Sequence, residues 1–268
     1  MGETARASAE GSAAAPSSRA ARPEVSIAAL RDDRALRVWR HRGQSRRLVV
    51  CFSGVGRYQR RPPRLEFAKT ACAAGRDHAL YIADARRSWL NAPGLIEDVV
   101  SLVESEVAEV GATEVVSMGH SLGGFSALAL GGFTRRDTAL ALSPHFSVDP
   151  AVVPDESRWT RFRDEIARFR ISDVRDVMAA TTQHYIIFGT DRRERPQSRL
   201  MRPAANAHCF MLPGVRHDTV MRMYEAGILD DAVQLAFGRR TRRLRQMLAK
   251  ALDGVQIAPR SMQEEGEA

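Results

Sequence analysis

The sequence predicts an α/β fold in which a mostly parallel sheet is covered by helices on both faces. Three observations lead to this prediction. Short continuous apolar runs alternate with amphipathic helical patterns through the middle of the chain, which is typical of parallel strands buried on both faces. A glycine-rich turn that carries a serine follows one of these runs and opens a helical pattern. The length of 268 residues suits one large domain better than two.

The apolar runs predict the core strands, and the periodic segments between them predict helices. The predicted core strands are 48–52, 79–82, 115–118, 139–142, 185–188 and 209–212. Two helices are predicted at 95–110 and 122–130, and Leu244, Leu248 and Ala251 form the apolar stripe of a C-terminal helix. Segments around 25–27 and 35–39 are expected to add an antiparallel edge to the sheet.

The two ends of the chain differ in composition from its middle. Residues 1–23 are dominated by Ala, Ser, Gly and Arg, and we interpret them as a disordered leader. Residues 261–268 are expected to form a flexible acidic tail. Between them, 24–260 is expected to be one domain. The alternation of strands and helices stops at 143–184, which we interpret as a small helical cap insertion, while its apolar residues are equally compatible with packing down on the sheet.

The charge pattern argues against a nucleic-acid partner. The chain has 40 basic and 32 acidic residues, which gives a net charge of +8, and only Lys69 and Lys250 are lysines. Most arginines are interleaved with acidic residues, which spreads the charge instead of forming a patch. One cluster opens the C-terminal helix: Arg239, Arg240, Arg242, Arg243 and Arg245. We interpret it as a solvated helix face, and binding of nucleic acid or a membrane surface through it is the alternative.

The composition also predicts the compartment. No apolar run reaches the roughly 18 residues needed to span a bilayer, and no apolar signal-peptide core precedes the domain. The three cysteines, Cys51, Cys72 and Cys209, are odd in number and lack metal-ligand spacing. These features predict a cytoplasmic protein without a transmembrane segment, a disulfide framework or a metal site.

The motif Gly119-His120-Ser121-Leu122-Gly123-Gly124 contains G-x-S-x-G. It follows a predicted strand and opens a predicted helix, as a nucleophile elbow does. A serine at so sharp a bend has a strained backbone, and side chains two positions before and after it would collide. The motif therefore predicts Ser121 as a nucleophile, with Gly119 and Gly123 required by the turn.

A serine hydroxyl needs a general base, and the base needs an orienting acid. Among seven histidines, His217 follows the carboxyl end of the last predicted strand, where it can meet Ser121. Asp191 follows the fifth strand at the same edge, and the chain order Ser, Asp, His is the one expected on this type of sheet. Asp149, after the fourth strand, is the alternative acid. Two backbone N–H groups are expected to form an oxyanion hole, those of Leu122 and Val55, with Gly54 as the alternative to Val55.

These motifs resemble the α/β-hydrolase superfamily. Phe52-Ser53-Gly54-Val55-Gly56 is similar to its oxyanion loop, and Gly119–Gly124 to its nucleophile elbow. Gly189-Thr190-Asp191 is similar to its acid turn, and Pro213-Gly214-Val215-Arg216-His217 to its histidine loop. The resemblance implies the α/β-hydrolase fold and a serine hydrolase that cleaves an ester or thioester through an acyl-enzyme, without a metal or organic cofactor.

The substrate is predicted less narrowly. Trp89, Asn91 and Arg86 follow the second core strand and are expected to line the mouth of the site, with Arg86 and Arg87 facing an anionic group. The alternative is that these residues have only a structural role, with Trp89 packed under the cap and the arginines paired with local acids. A small cap favours a small or medium acyl ester or an acylated glycan. The alternative function is a hydrolase-fold accessory protein of polysaccharide or protein export with little or no catalysis.

Overall fold

The computed structural model of the protein describes residues 25–257. The predicted leader, 1–23, and the predicted tail, 261–268, lie outside the described residues.

The described chain forms one sheet whose centre is parallel. Its strands are β1 (Ala28–Asp32), β2 (Leu36–His41), β3 (Arg47–Phe52), β4 (His78–Asp84), β5 (Glu114–His120), β6 (Thr138–Leu142), β7 (Gln183–Gly189), β8 (Ala207–Leu212) and β9 (Val255–Ile257). They lie in the order β1-β2-β4-β3-β5-β6-β7-β8-β9. The six central strands, β4-β3-β5-β6-β7-β8, are parallel to one another, while β1, β2 and β9 are antiparallel to their neighbours.

Helices connect the parallel strands and cover the sheet. They are α1 (Ala68–Ala71), α2 (Leu95–Val110), α3 (Leu122–Ala129), α4 (Thr160–Arg163), α5 (Arg195–Ser198), α6 (Thr219–Glu225), α7 (Leu229–Phe237) and α8 (Thr241–Leu252). Short 3-10 turns occur at Ala73–Gly75, Leu130–Gly132, Val174–Val177 and Arg192–Glu194.

Alternate side chains of each central strand enter opposite cores, which is why the strands read as continuous apolar runs. On β3, Val50 and Phe52 pack in a core with α2 and α3, while Val49 and Cys51 pack in a second core with α7 and α8. The predicted α/β class, the six core strands and the two long helices are confirmed. The antiparallel edge is also confirmed, but its first strand is β1 instead of 25–27. The strand β9 was not predicted because its three residues, Val-Gln-Ile, are too few for a strand periodicity to be recognised.

The segment between β6 and β7 is mostly irregular, with α4 and one 3-10 turn. It is fastened to the core by side-chain bonds. The Asn91 side chain accepts a hydrogen bond from Ile171 N at 2.8 Å and donates to the carbonyl of Trp89 at 2.9 Å. Ser147 Oγ donates to the carbonyl of Ser172 at 2.5 Å, within the segment. Phe162 is buried against the sheet core.

Between residues 25 and 257, no helix combines the length and the apolar character that crossing a membrane requires. Cys51, Cys72 and Cys209 are buried free thiols.

Candidate active site

Ser121 sits at a sharp turn between β5 and α3. Its backbone angles are φ 58° and ψ −119°, a conformation that costs a non-glycine residue on the order of 1–3 kcal/mol. A Cβ added at Gly119 would lie 2.3 Å from the carbonyl carbon and oxygen of Gly123, and one added at Gly123 would lie 2.2 Å from the carbonyl oxygen of Phe52. The turn therefore requires both glycines, as the motif predicts.

The turn presents Ser121 to His217, which lies in the loop between β8 and α6. The Ser121 hydroxyl and His217 Nε2 are 2.9 Å apart, within hydrogen-bonding distance. Both loops leave the carboxyl edge of the parallel sheet, which is why residues 96 positions apart meet.

The acid beside His217 is Glu194, not Asp191. The Nδ1 atom of His217 lies 3.1 and 3.0 Å from the two carboxylate oxygens of Glu194, and the Glu194 side chain is 1% exposed. The expectation that Asp191 contacts the histidine is therefore corrected, because the carboxylate of Asp191 accepts a hydrogen bond from Arg193 N at 3.0 Å instead.

The local sequence explains this exchange. Asp191 is the N-cap of the 3-10 turn Arg192–Glu194, and the turn carries Glu194 inward. An acidic residue three positions after an N-cap is a recurrent pattern, and Asp191-Arg192-Arg193-Glu194 contains it. Asp149, the alternative acid, accepts hydrogen bonds from Ser172 Oγ and, at 2.9 Å, from Ala151 N.

A half-buried arginine forms an ion pair with the acid. Arg158 Nη1 donates to Glu194 Oε1 at 2.7 Å, and the same guanidinium donates to Glu156 through Nε at 2.9 Å and Nη2 at 2.7 Å. Glu156 also accepts from Gln197 Nε2 at 3.0 Å. The pKa of Glu156 lies below its ordinary value because the bonds from Arg158 outweigh the effect of burial. Arg158 thus forms ion pairs with two buried carboxylates. The sequence patterns did not predict these ion pairs.

Two further histidines surround His217. His120 Nε2 donates to the carbonyl of His217 at 2.7 Å, and burial together with the nearby His217 lowers the pKa of His120 to about 3. The ring of His145 stacks on that of His217, with centroids 5.9 Å apart. Its Nδ1 accepts a hydrogen bond from Trp89 Nε1 at 3.0 Å. Burial, and then the charge of Arg158, hold the pKa of His145 well below its ordinary value, so both rings are neutral near pH 7.

The predicted oxyanion donors lie beside the serine. Val55 lines the cleft that contains Ser121 and His217, and Leu122 is the first residue of α3. Within the described chain, neither backbone N–H has a hydrogen-bond partner. The N–H of Gly54 donates to Glu66 Oε2 at 3.1 Å, which favours Val55 over Gly54 as the second donor. Burial raises the pKa of Glu66.

The cleft at Ser121 has a volume of about 250 Å³. Its walls include Arg57, Glu66 and Trp159, none of which was predicted to line the site. Trp89 was predicted to do so, but it is fully buried behind His145. Arg86 and Asn91 line a separate cleft of about 520 Å³, so the expectation that they line the mouth of the Ser121 site is also wrong.

Residues 25–257 contain no group of three or more His, Cys, Asp or Glu side chains arranged to hold a metal ion.

No family model and no curated protein sequence matches the chain. Solved structures do resemble it. A glycosylation-associated protein (Gap123) complex of Streptococcus agalactiae aligns over 83% of this chain at 12% identity with a TM-score of 0.55, and the alignment covers 46% of that chain. This chain therefore spans less than half of that one.

Two other similar structures match over most of their own length. The capsule O-acetyltransferase of Neisseria meningitidis serogroup A aligns over 76% of this chain and 93% of that chain, at 14% identity and a TM-score of 0.54. An S-formylglutathione hydrolase from Agrobacterium tumefaciens aligns over 80% of this chain and 94% of that chain, at 12% identity and a TM-score of 0.52. At these identities the likeness is one of fold.

Proposed function

We propose that this chain, whose fold is that of the α/β hydrolases, is a serine hydrolase that cleaves an ester or thioester. Its catalytic residues are Ser121, His217 and Glu194, and its oxyanion donors are the backbone N–H groups of Leu122 and Val55. The observation that carries the proposal is the chain of contacts from Ser121 Oγ to His217 Nε2, and from His217 Nδ1 to the Glu194 carboxylate.

The reaction follows from these contacts. Ser121 Oγ attacks the carbonyl carbon while His217 Nε2 takes the hydroxyl proton, and the oxyanion of the tetrahedral intermediate is bound by the two backbone N–H groups. The carbon–oxygen or carbon–sulfur bond to the leaving group then breaks, and the imidazolium gives its proton to the departing alcohol or thiol. Glu194 keeps the Nδ1 proton in place and stabilises the imidazolium.

Water then hydrolyses the acyl-enzyme by a corresponding series of steps. His217 takes a proton from water, the hydroxide adds to the acyl carbon, and Ser121 leaves with the proton returned to its oxygen. The product is a carboxylic acid. One of the similar structures is an S-formylglutathione hydrolase, an enzyme named for a thioester substrate, and this likeness supports the proposed substrate range.

If the hydroxyl group of an acceptor molecule attacks the acyl-enzyme in place of water, the reaction becomes an acyl transfer. The likeness to a capsule O-acetyltransferase at a TM-score of 0.54 favours this second candidate, and an acylated glycan is then the product. The two reactions share every step up to the acyl-enzyme, so one experiment tests their common part.

That experiment is labelling with a fluorophosphonate probe, which reacts with activated serines, followed by mass spectrometry of the adduct. We expect a single adduct on Ser121, none on the Ser121→Ala variant, and much slower labelling of His217→Ala. Hydrolysis and transfer are then separated by the product formed from an acyl ester with and without a glycan acceptor.

The accessory-protein alternative makes the opposite prediction. A well-folded protein that fails to react at Ser121 and also fails to hydrolyse a series of acyl esters and thioesters contradicts the serine-hydrolase proposal. The likeness to a protein of a glycosylation-associated complex would then favour an accessory role in export, which the sequence left open. The three buried free thiols support the further proposal of a reducing, cytoplasmic compartment.

A further inference from the structure

The separate cleft lined by Arg86 is strongly basic. It has a volume of about 520 Å³ and five arginines in its wall, with Glu165 as the acidic residue among them. We call it the basic cleft, and its arginines are Arg60, Arg86, Arg87, Arg161 and Arg168. It lies beside the Ser121 cleft, because the loop after β3 and the start of α4 contribute residues to both: Val55 and Trp159 to one, Arg60 and Phe162 to the other.

Arg87 is a buried cation without a carboxylate partner. The residue is 4% exposed, and its bonds go to backbone carbonyls: Nε donates to Val55 at 2.8 Å, and Nη2 to Tyr58 at 3.3 Å and Arg61 at 2.5 Å. Within the described chain its Nη1 atom has no hydrogen-bond partner. A buried charge is costly unless an opposite charge accompanies it, so an anion in the cleft would give Arg87 the direct ion pair that it lacks within the described residues.

The neighbouring arginines add to this imbalance. Burial lowers the pKa of Arg87, the nearby carboxylate of Asp84 raises it, and the charge of Arg161 lowers it again. The exposed guanidiniums of Arg60, Arg86, Arg161 and Arg168 form no ion pair within residues 25–257. In contrast, Arg163 and Arg170, their neighbours in the sequence, pair with Asp164 and Glu97. The alternative that Arg86 and Arg87 pair with local acids is therefore not met as an ion pair within residues 25–257, although the Asp84 carboxylate lies close enough to raise the pKa of Arg87.

The backbone at this position is strained. Arg87, Trp89 and Leu90 have positive φ angles of 56°, 50° and 60°, a conformation that L-residues with side chains rarely adopt. Such strain persists where surrounding contacts impose it, and it concentrates at ligand and active sites. Here it places the guanidinium of Arg87 4.7 Å from the centroid of the buried Phe162 ring, at the floor of the cleft.

We propose that the basic cleft binds an anionic group of the substrate, a phosphate or a carboxylate, with Arg87 at its floor and Arg86 and Arg161 as exposed arms. The statement that the anion belongs to the substrate rests on the proposed function, whereas anion binding itself does not. The substrate class is then an acyl ester or thioester whose remainder carries negative charge, seated so that its carbonyl reaches Ser121 in the adjoining cleft.

The test is an isothermal titration of the full chain with two probes at low and physiological salt. Pyrophosphate represents a phosphorylated substrate, and trigalacturonate represents an acidic glycan. We expect one of the probes to bind at a single site, and the Arg86→Gln/Arg161→Gln variant to weaken that binding about tenfold, since each exposed charge-assisted contact contributes modestly. Both side chains are exposed, so the variant is expected to fold.

The matched control removes two positive charges elsewhere. Arg242→Gln/Arg245→Gln changes two exposed residues of α8 and is expected to leave the titration unchanged. Equal weakening in both variants would mean that the probes respond to net charge, and absence of binding by both probes would mean that the cleft is only solvated; either result overturns the inference. Because the titration involves no hydrolysis, a failure of the serine-hydrolase proposal is recognised separately, by the probe labelling of Ser121.

Discussion

Arg158 Nη1 and Glu194 Oε1 are 2.7 Å apart, and this ion pair lies directly behind His217. Arg158 Nη1 is also 3.2 Å from His217 Nδ1. Two N–H donors cannot form a hydrogen bond with each other. We therefore assign Arg158 Nη1 and the Nδ1–H of His217 as two donors to the Glu194 carboxylate. That assignment leaves Nε2 free to accept the Ser121 proton.

Loss of Arg158 is expected to destabilise the protein. Arg158→Gln leaves Glu156 and Glu194, whose side chains are 2% and 1% exposed, without their shared cation. Removing one member of a buried ion pair costs about 3 kcal/mol, measured as the free energy of unfolding in urea. The Glu156→Gln/Arg158→Gln variant removes one charge of each sign and is expected to recover part of that loss. A double variant less stable than the single one would contradict the assigned network.

The identity of the acid is tested by paired amide substitutions. We expect Glu194→Gln to lower kcat for a p-nitrophenyl ester by on the order of 10,000-fold, because the imidazole tautomer is no longer held by a carboxylate. Asp191→Asn retains an acceptor for the 3-10 turn and is expected to change kcat by less than about threefold, the range of a surface substitution. The reverse order of the two effects would restore Asp191 as the acid.

Glu66 is expected to act on the loop that carries Val55. Glu66→Ala removes the acceptor of Gly54 N, and an unsatisfied buried N–H costs about 1–3 kcal/mol, so kcat/KM should fall about tenfold as the loop loses its geometry. Glu66→Gln keeps a side-chain oxygen at the same position and serves as the control. If both variants lose activity equally, the carboxyl group itself is required and the loop explanation fails.

Acid is expected to destabilise the protein through its buried histidines. Above pH 6.5, the ordinary histidine value, His145 is neutral in both the folded and the unfolded chain and adds no pH dependence. As the pH falls below that value, the unfolded chain takes up a proton that folded His145, with its lowered pKa, does not, so stability falls. His145→Asn keeps an acceptor for Trp89 Nε1.

The measurement is the melting temperature as a function of pH, from about pH 8 down to pH 5, the range in which histidine titrates. We expect a shallower decline for His145→Asn than for the parent protein, with the difference at pH 8 giving the cost of the substitution itself. His120, whose pKa is also lowered, should keep part of the decline. Parallel curves would show that His145 does not contribute.

The serine and the histidine were predictable because sheet topology fixes them. Gly119 and Gly123 define the turn at Ser121 by steric necessity, and His217 follows a strand whose carboxyl end must reach the same edge. The acid was not predictable in this way. Asp191 and Glu194 leave the same strand three residues apart, and the choice depends on which carboxylate caps the turn and which pairs with Arg158.

The residues around the site were harder to predict for a related reason. Trp89 and Arg86 follow the correct strand, but the positive φ angles of the loop send Trp89 into the core and Arg86 into the neighbouring cleft. Trp159 is one of the apolar residues of 143–184, which were expected to form a cap or to pack on the sheet, yet it lines the Ser121 cleft. Such orientations depend on backbone conformations that residue type alone does not indicate.

The bonds that fasten the segment between β6 and β7 determine how substrate reaches the serine. Asn91 connects the loop after β4 to Ile171, and Phe162 is buried against the sheet core, so the segment cannot move away from the sheet without breaking these contacts. Selection therefore depends on the fixed outline of the entrance and not on an opening rate. Capture of a small probe by Ser121 should increase in proportion to probe concentration, without the plateau that a slow gating step imposes.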